Sequence, residues 1–545
     1  VNTTDGKKKL DYRVYIGSGP SMDFNMYRNK DYAFAVNFTH VGIPTNDKRV
    51  TYIDPIPASE NNDNLVPTAN CFMVEPGGAF CFDPFAFQQN GAEILNSQMT
   101  GWYPSTGTTG IKSVKLLWQT RENGDVGDPV MGIANSDGDH TNIVDIKRTM
   151  DNSDINTVPA NGKGQCRIYC RVAANTTGGN GVIAAYDGSD GTGNIVWSWH
   201  VWVTDYKPDA RGGEQVLEPV SKRKLLFSLN NSSVLPMMDR NLGAASAMPA
   251  SKTEAEVIKT YGLIYQFGRK DPFPGAGVMT RTDDAELIPS YDADGVLVTR
   301  QLIMANNPKY LTNSQVVSGQ GTDAAAISKQ LTYVVENPLV YVMSNGADMS
   351  APGGGSRSFN WIWAAHKNTL PWKVSNKLWG SDILNESNSN FFATKSVTKT
   401  IYDPCPYGYH MPQQDVWTNF LTTANGYSTS TASEFNVVDD DKVVSSDAQG
   451  FMHSTFPVFG RRFLTTGNAA VSGESNVAFY PAAGGRFNDK TLSYVGSAII
   501  CWSASPYNNT NIGGSLLYGN TTSVSLIQGG IGRMVGLPVR CVRGN

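Results

Sequence analysis

Cys405 and Cys541 sit in the richest chemical context of this chain, the first within Asp403-Pro404-Cys405-Pro406-Tyr407-Gly408-Tyr409 and the second within Arg540-Cys541-Val542-Arg543 near its end. A disulfide between them would tie the start of a compact C-terminal domain to its last strand. In a chain-entropy account, closing so long a loop contributes ~4–5 kcal/mol. It also points to an oxidising, exposed location. There are 7 cysteines, so at least one thiol is unpaired. Once Cys405 and Cys541 are joined, Cys501 in Ile499-Ile500-Cys501-Trp502 is the thiol left for redox or nucleophilic work. An apolar strand, however, is the usual setting of a buried, inert thiol. Cys166 and Cys170 share one strand-like run, where an extended Cα separation of ~13 Å forbids a mutual bond. Cys71 and Cys81 flank Glu75-Pro76-Gly77-Gly78 and could meet across a hairpin, if the register brings them together.

Acid–base and metal chemistry are less favoured. His40, His140, His200, His366, His410 and His453 are scattered, and no nucleophile motif accompanies them. Cys-x3-Cys at 166 and 170 has no second ligand pair at zinc spacing. Asp137/Asp139 and Asp292/Asp294-Gly295 are acidic turns that leave room for a structural calcium ion, and no other cofactor is expected. The second of these turns reads more simply as a hairpin, and Asp439-Asp440-Asp441-Lys442 as a solvated loop. Ligand recognition falls to Tyr507-Asn508-Asn509 and to Tyr518-Gly519-Asn520, polar loops flanked by aromatic rings. Asn508 and Asn520 also open glycosylation sequons, which are frequent by chance in an Asn/Thr-rich chain.

The elements that must position these groups are mainly strands. The chain has 545 residues, too many for a single core, and only 17% are charged, with Gly, Asn, Ser and Thr abundant. The formal charge is −4 with no basic block, which excludes a nucleic-acid partner. No apolar run approaches the ~20 residues of a membrane span. The chain opens on Val1 rather than Met, as a processed chain would. Tyr12, Val14 and Ile16, and then Tyr32, Phe34 and Val36, alternate as two strands, but a lone two-stranded ribbon is marginal in water. A partner or an upstream segment must therefore complete their sheet by β-augmentation. Further strands are predicted over 113–120, 165–174, 181–186 and 195–203, spaced as in a β-sandwich. The last holds Trp197, Trp199, Trp202 and His200 and reads as a central strand buried on both faces.

Beyond the linker-like Lys207-Pro208-Asp209-Ala210-Arg211-Gly212-Gly213, helices are predicted from a capping box at Ser251-Lys252-Thr253-Glu254 to about Lys259, and over 324–336. A third is predicted from Val416, Trp417, Phe420, Leu421 and Ala424 with a stop at Gly426, and the remainder is short strands and loops. Phe456-Pro457-Val458-Phe459-Gly460-Arg461-Arg462-Phe463 is echoed by Tyr480-Pro481-Ala482-Ala483-Gly484-Gly485-Arg486-Phe487, two similar strand starts rather than a solenoid.

Several spaced matches carry a family resemblance. Lys399-Thr400-Ile401-Tyr402-Asp403-Pro404-Cys405-Pro406, Met411-Pro412, Val416-Trp417, Tyr480-Pro481-Ala482-Ala483-Gly484, Val495-Gly496-Ser497, Trp502-Ser503 and Arg540-Cys541-Val542-Arg543 resemble the Fibrobacter succinogenes major paralogous domain. That domain is similar to C-type-lectin-like and formylglycine-generating-enzyme folds. Met238-Asp239-Arg240-Asn241-Leu242-Gly243 and Tyr261 to Phe273 resemble the extension such domains carry in Bacteroidales surface proteins. Tyr12 to Gly17 with Asp23-Phe24-Asn25 resembles the closing strands of fimbrillin-type domains, and Asn194 to Asp205 the end of the middle domain of the same proteins.

The resemblance implies a multidomain, mainly β chain. Residues 1–42 would be closing strands of a fimbrillin-like sandwich, 43–207 a β-sandwich domain (the two together fimbrillin/transthyretin-like), 208–234 a linker and 235–545 an α+β lectin-like domain with its extension. It implies a non-enzymatic fimbrial tip subunit or adhesin at the cell surface or outer membrane. Its partners would be other fimbrial subunits and a host or bacterial surface glycan or protein. An extracellular formylglycine-generating-enzyme-like modifying enzyme, relying on Cys501, and a purely structural pilus subunit are the alternatives.

Overall fold

Alternating β-branched and aromatic residues favour extended backbone, and Ile195–Val203 is buried from its second residue to its last. It lies between Gly179–Tyr186, antiparallel, and Cys71–Val74, parallel. Neighbours on both edges and covered faces make it the central strand the sequence predicts. The computed structural model of the chain describes residues 2–3, 6–7, 65–75, 79–103, 110–120, 144–147, 166–172, 178–206, 208, 237–251, 253–275, 290–291, 297–298, 310–317, 323–344, 360–363, 369–381, 397–422, 428–442, 460–464, 477–487, 492–507, 514–520, 522–528 and 531–544. Tyr12, Val14, Ile16, Tyr32, Phe34 and Val36 lie outside these residues, as does nearly all of 208–234. Among the described residues the protein is mainly β, and no helix is long and apolar enough to cross a membrane.

Two compact units emerge. The first comprises Val1–Gln88, Glu93–Asp205 and Pro289–Thr299. Its six-stranded sheet runs, edge to edge, through Leu297–Val298, Ser290–Tyr291, Ser113–Thr120, Gly179–Tyr186, Ile195–Val203 and Cys71–Val74. A three-stranded sheet of Ala79–Phe82, Arg167–Arg171 and Val144–Lys147 packs on it through aromatic rings. Phe72 lies 4.8 Å from Phe80 and 4.4 Å from Phe82, and Trp199 meets Phe82 edge-on at 5.0 Å.

Two expectations are corrected here. Cys71 and Cys81 do not face each other across a hairpin, because their strands join different sheets; both are buried, as are Cys166 and Cys170. Ser290–Tyr291 pairs antiparallel with Leu297–Val298, but Ser290 also pairs with Thr120 and so extends the first unit's sheet, not the C-terminal domain.

The second unit comprises Gln89–Ala92, Tyr206–Ile288 and Arg300–Asn545. One four-stranded sheet orders Ile264–Gln266, Gly536–Pro538, Gly485–Arg486 and Leu492–Ser493; another orders Ser428–Thr429, Val524–Gln528, Gly514–Gly519 and Ile499–Pro506. The helix over Ala324–Glu336 forms as predicted. Asp323 caps it by accepting from the Ala326 N–H, and its buried stripe includes Ile327, Leu331, Val334 and Val335.

The third predicted helix is instead a 3-10 segment, Gln414–Phe420, which ends where Leu421 turns extended. Its apolar face is nonetheless the core: Trp417, Phe420 and Leu421 are buried with Phe463, Tyr480, Cys501, Leu517 and Val542. The tight stacking of Phe420 on Phe463, at 3.8 Å, holds the segment. The first predicted helix covers Glu254–Ile258, and its N-cap is Thr253 without a side-chain cap bond, so no capping box starts at Ser251. A helix over Leu370–Lys377 was not expected; Thr369 caps it by accepting from Trp372 N–H, and Pro371 sits in its first turn. The two echoed strands are both real, Gly460–Leu464 pairing with Val477–Pro481 and Gly485–Arg486 with Leu492–Ser493.

Candidate functional site

The motifs that stand out in the sequence of the second unit turn inward. Lys399 and Asp403 are buried, and the Lys399 ammonium donates to Asp403 Oδ1 at 3.1 Å and to the carbonyls of Cys405 and Tyr409, both at 2.7 Å. Asp403 in turn accepts from the N–H groups of Cys405 and Met411, each at 2.8 Å. The cradle folds the backbone around Cys405, which is disulfide-bonded to Cys541 at a sequence separation of 136. A carboxylate with two backbone donors and a cation is fully satisfied, so this cluster organises structure and leaves no reactive oxygen exposed.

The same holds upstream. Three indoles grip one strand and the turn that follows it: Trp502 donates to the carbonyl of Tyr265 (3.1 Å), Trp361 to that of Phe267 (2.7 Å) and Trp379 to that of Arg269 (3.2 Å). Arg269 reaches Val340 O at 2.6 Å and Gln266 Oε1 at 2.9 Å, and Lys270 pairs with Asp271 at 2.6 Å. Burial lowers the Lys270 pKa to about 8 against the pull of Asp271.

These ties converge on the end of the chain. Arg533 donates to Ser375 Oγ at 2.6 Å and Asn376 Oδ1 at 2.5 Å. Gly536–Pro538 pairs with Ile264–Gln266, Val539 bridges Trp502, and Val542 bridges both His410 and Met237. Arg540 donates to Asn241 Oδ1 and Phe479 O while lying 3.7 Å above the Tyr480 ring. The last strand therefore stitches segments from residue 237 to residue 542 into one body.

Cys501, the sequence-derived candidate for thiol chemistry, is 2% exposed, and burial pushes its pKa up to about 12. A thiolate is not accessible there. His200 is buried 2.8 Å from Asn180 Oδ1, with its pKa lowered to about 3 by burial. His410, also lowered by burial, holds the Met411 carbonyl at 2.8 Å. Among the described residues no group of three His, Cys, Asp or Glu side chains is placed to hold a metal ion. Asp137, Asp139, Asp292 and Asp294 lie outside them.

Of the two recognition loops, the one at Asn520 is brought beside the acidic run. Asp441 is buried rather than solvated, accepting from Arg462 N–H at 2.6 Å and from its guanidinium at 3.0 Å. Arg461, beneath the Phe435 ring, donates to the carbonyls of Asp441 and Asn520. The Asn520 side chain is spent on its own turn, accepting from Thr522 N–H and Ser523 N–H at 2.9 and 2.8 Å and donating to Tyr518 Oη at 3.2 Å. Such an Asx turn fixes the loop and takes Asn520 out of the set of groups open to a ligand. Tyr507 packs against the main core cluster, and Asn508 and Asn509 lie outside the described residues. Tyr518 is half-buried beside Asn520, and Asp439 remains on the surface, 90% exposed.

The sequence reading missed the outward-facing tyrosines, Tyr407 and Tyr494, each 49% exposed. Nothing in hydrophobic periodicity separates an exposed tyrosine from a core one, although Pro406-Tyr407-Gly408 was a visible turn signal.

A family model for a domain of unknown function, DUF4906, matches residues 1–36. No curated protein and no solved structure matches the chain.

Proposed function

We propose that this chain is a non-enzymatic surface adhesin, a fimbrial tip subunit whose C-terminal unit binds a glycan or protein ligand and whose N-terminal strands assemble with other subunits by strand donation. The observation that carries this reading is the closure of the second unit: the segment Arg533–Arg543 ties back to Met237, Ile264, Asn376 and Cys405. A self-contained, disulfide-fastened body is what an exposed head outside the cell requires. Its conspicuous polar residues are consumed internally, which leaves surface loops and rings to make contact. The burial of Cys501 works against the modifying-enzyme alternative, since that chemistry needs a reachable thiol. The stretches 12–16 and 32–36, predicted from sequence as strands and both within the segment that the family model matches, are the proposed assembly element.

Immunogold labelling of the full chain on assembled appendages tests the reading. Label confined to fibre ends is the expected result. Label repeated along the shaft, or absent from appendages, would overturn the tip assignment.

A further inference from the structure

We infer that Tyr494 is a rigid stacking platform for a neutral pyranose ring, which makes a glycan the ligand class of the head. The inference rests on the adhesin reading above. Tyr494 has φ 62, the left-handed region that bulky L side chains rarely adopt and that glycine or asparagine ordinarily fills. The turn is held from all sides. Leu492 and Val495, at 2% and 1% exposure, anchor it in the core, and the Tyr494 carbonyl accepts from the N–H groups of Ser497 and Ala498, both at 3.0 Å. Gly484, itself at φ 61, packs so closely beneath that an added Cβ would strike Ser493 O and Val495 N.

This framework needs no aromatic ring at position 494. The ring is half exposed, braced on one side by Phe487 at 5.1 Å and 60°, so it contributes little burial to the fold. Backbone strain kept at a residue whose side chain points to solvent marks a functional position. An immobilised ring with few rotatable bonds offers a flat apolar face at low entropic cost.

The size of the feature selects the occupant. Leu95, Leu370, Tyr407 and Tyr494 are the large hydrophobic side chains exposed among the described residues. One tyrosine braced by one phenylalanine is far smaller than the ~800 Å² per partner of a stable protein interface. It matches the C–H face of a single sugar ring. Ser493 and Ser497, both partly exposed, flank it, and no charged residue lies between residues 492 and 498.

The test uses the full chain on immobilised neutral oligosaccharides terminating in β-galactose, β-glucose or α-mannose, with thermal unfolding measured in parallel. The wild type is expected to bind at least one of them. Tyr494→Gly should reduce that binding at least tenfold while keeping or raising the midpoint of unfolding, and Tyr494→Phe should stay within threefold of wild type. Equal sugar binding by wild type and Tyr494→Gly would overturn the platform and leave the adhesin reading standing. Failure of the wild type to bind any of these sugars, or a Tyr494-dependent interaction with a protein instead, would overturn the glycan assignment. Loss of folding in Tyr494→Gly would overturn the premise that the ring is dispensable to the fold.

Discussion

Replacing Cys405 and Cys541 together by serine should lower the stability of the second unit by about 5 kcal/mol. The two cysteines are separated by 136 in sequence, and the loop-closure expression gives roughly 17 cal/mol/K for a ring of that size, or about 5 kcal/mol at 25 °C. The noncovalent ties of the terminal strand, the two-residue pairing of Tyr409 and His410 with Arg543 and Val542 and the Met237–Val542 bridge, exist only in the folded unit, whereas the disulfide also restrains the unfolded chain. The natural assay is urea unfolding of the full chain followed by tryptophan fluorescence, since Trp361, Trp379, Trp417 and Trp502 are all buried in this unit. With a urea slope of about 3 kcal/mol/M, the transition of the second unit should move down by about 1.7 M. The transition of the first unit, which contains neither Cys405 nor Cys541, should stay in place. A shift below about 0.3 M, or peptide mapping that pairs Cys405 with a different cysteine, would refute the reasoning.

Three further outcomes are expected. Lys399→Met strips the cation from a carboxylate that remains buried, and should cost about 3–5 kcal/mol in the same urea experiment; Asp403→Asn combined with it should recover part of that loss. His200 has a folded pKa of about 3, below its unfolded value near 6.5, so protonation favours the unfolded chain. The stability of the first unit should therefore be complete above about pH 6.5 and fall by up to ~1.4 kcal/mol per pH unit towards pH 3, a slope that His200→Gln should flatten in unfolding measured at pH 7 and pH 4.5. Thiol labelling of the native protein should leave Cys71, Cys81, Cys166, Cys170 and Cys501 unmodified, while urea exposes all five; rapid native labelling of Cys501 would remove the main structural objection to an enzyme.

Local signals were readable wherever one residue's neighbours in sequence supplied the physics. Ser113–Thr120 and Ile195–Val203 form at the predicted bounds because alternating β-branched and aromatic residues need only a covered face. Ala324–Glu336 does so because its cap and its Asn337-Pro338 stop are both local. Asn90-Gly91, both at positive φ, was an equally local hairpin signal that went unused, as was Thr369 with Pro371 ahead of the helix over Leu370–Lys377. The 3-10 form of Gln414–Phe420 was not readable, since the same apolar spacing serves an α-helix; nor were its core partners, Phe463 stacked on Phe420 and Tyr480 edge-on to it, which come from distant strands.

The roles of polar residues divided along the same line. Asp441 looked solvated in an acidic run, and only Arg461 and Arg462, brought in from twenty residues away, make it a buried hub. Asn520 looked available to a ligand, and only the folded turn shows its amide already spent.

From the residues alone came the mainly β character, the two cysteines that close the C-terminal unit, and the central tryptophan strand, because composition, alternation and turn chemistry act over a few residues. Tertiary structure alone decided that Cys71–Val74 runs parallel to Ile195–Val203, that the last strand binds segments hundreds of residues upstream, and that Tyr494 faces water on a strained turn. Pairing, burial and exposure are properties of which distant surfaces meet, and no local pattern encodes the identity of the partner.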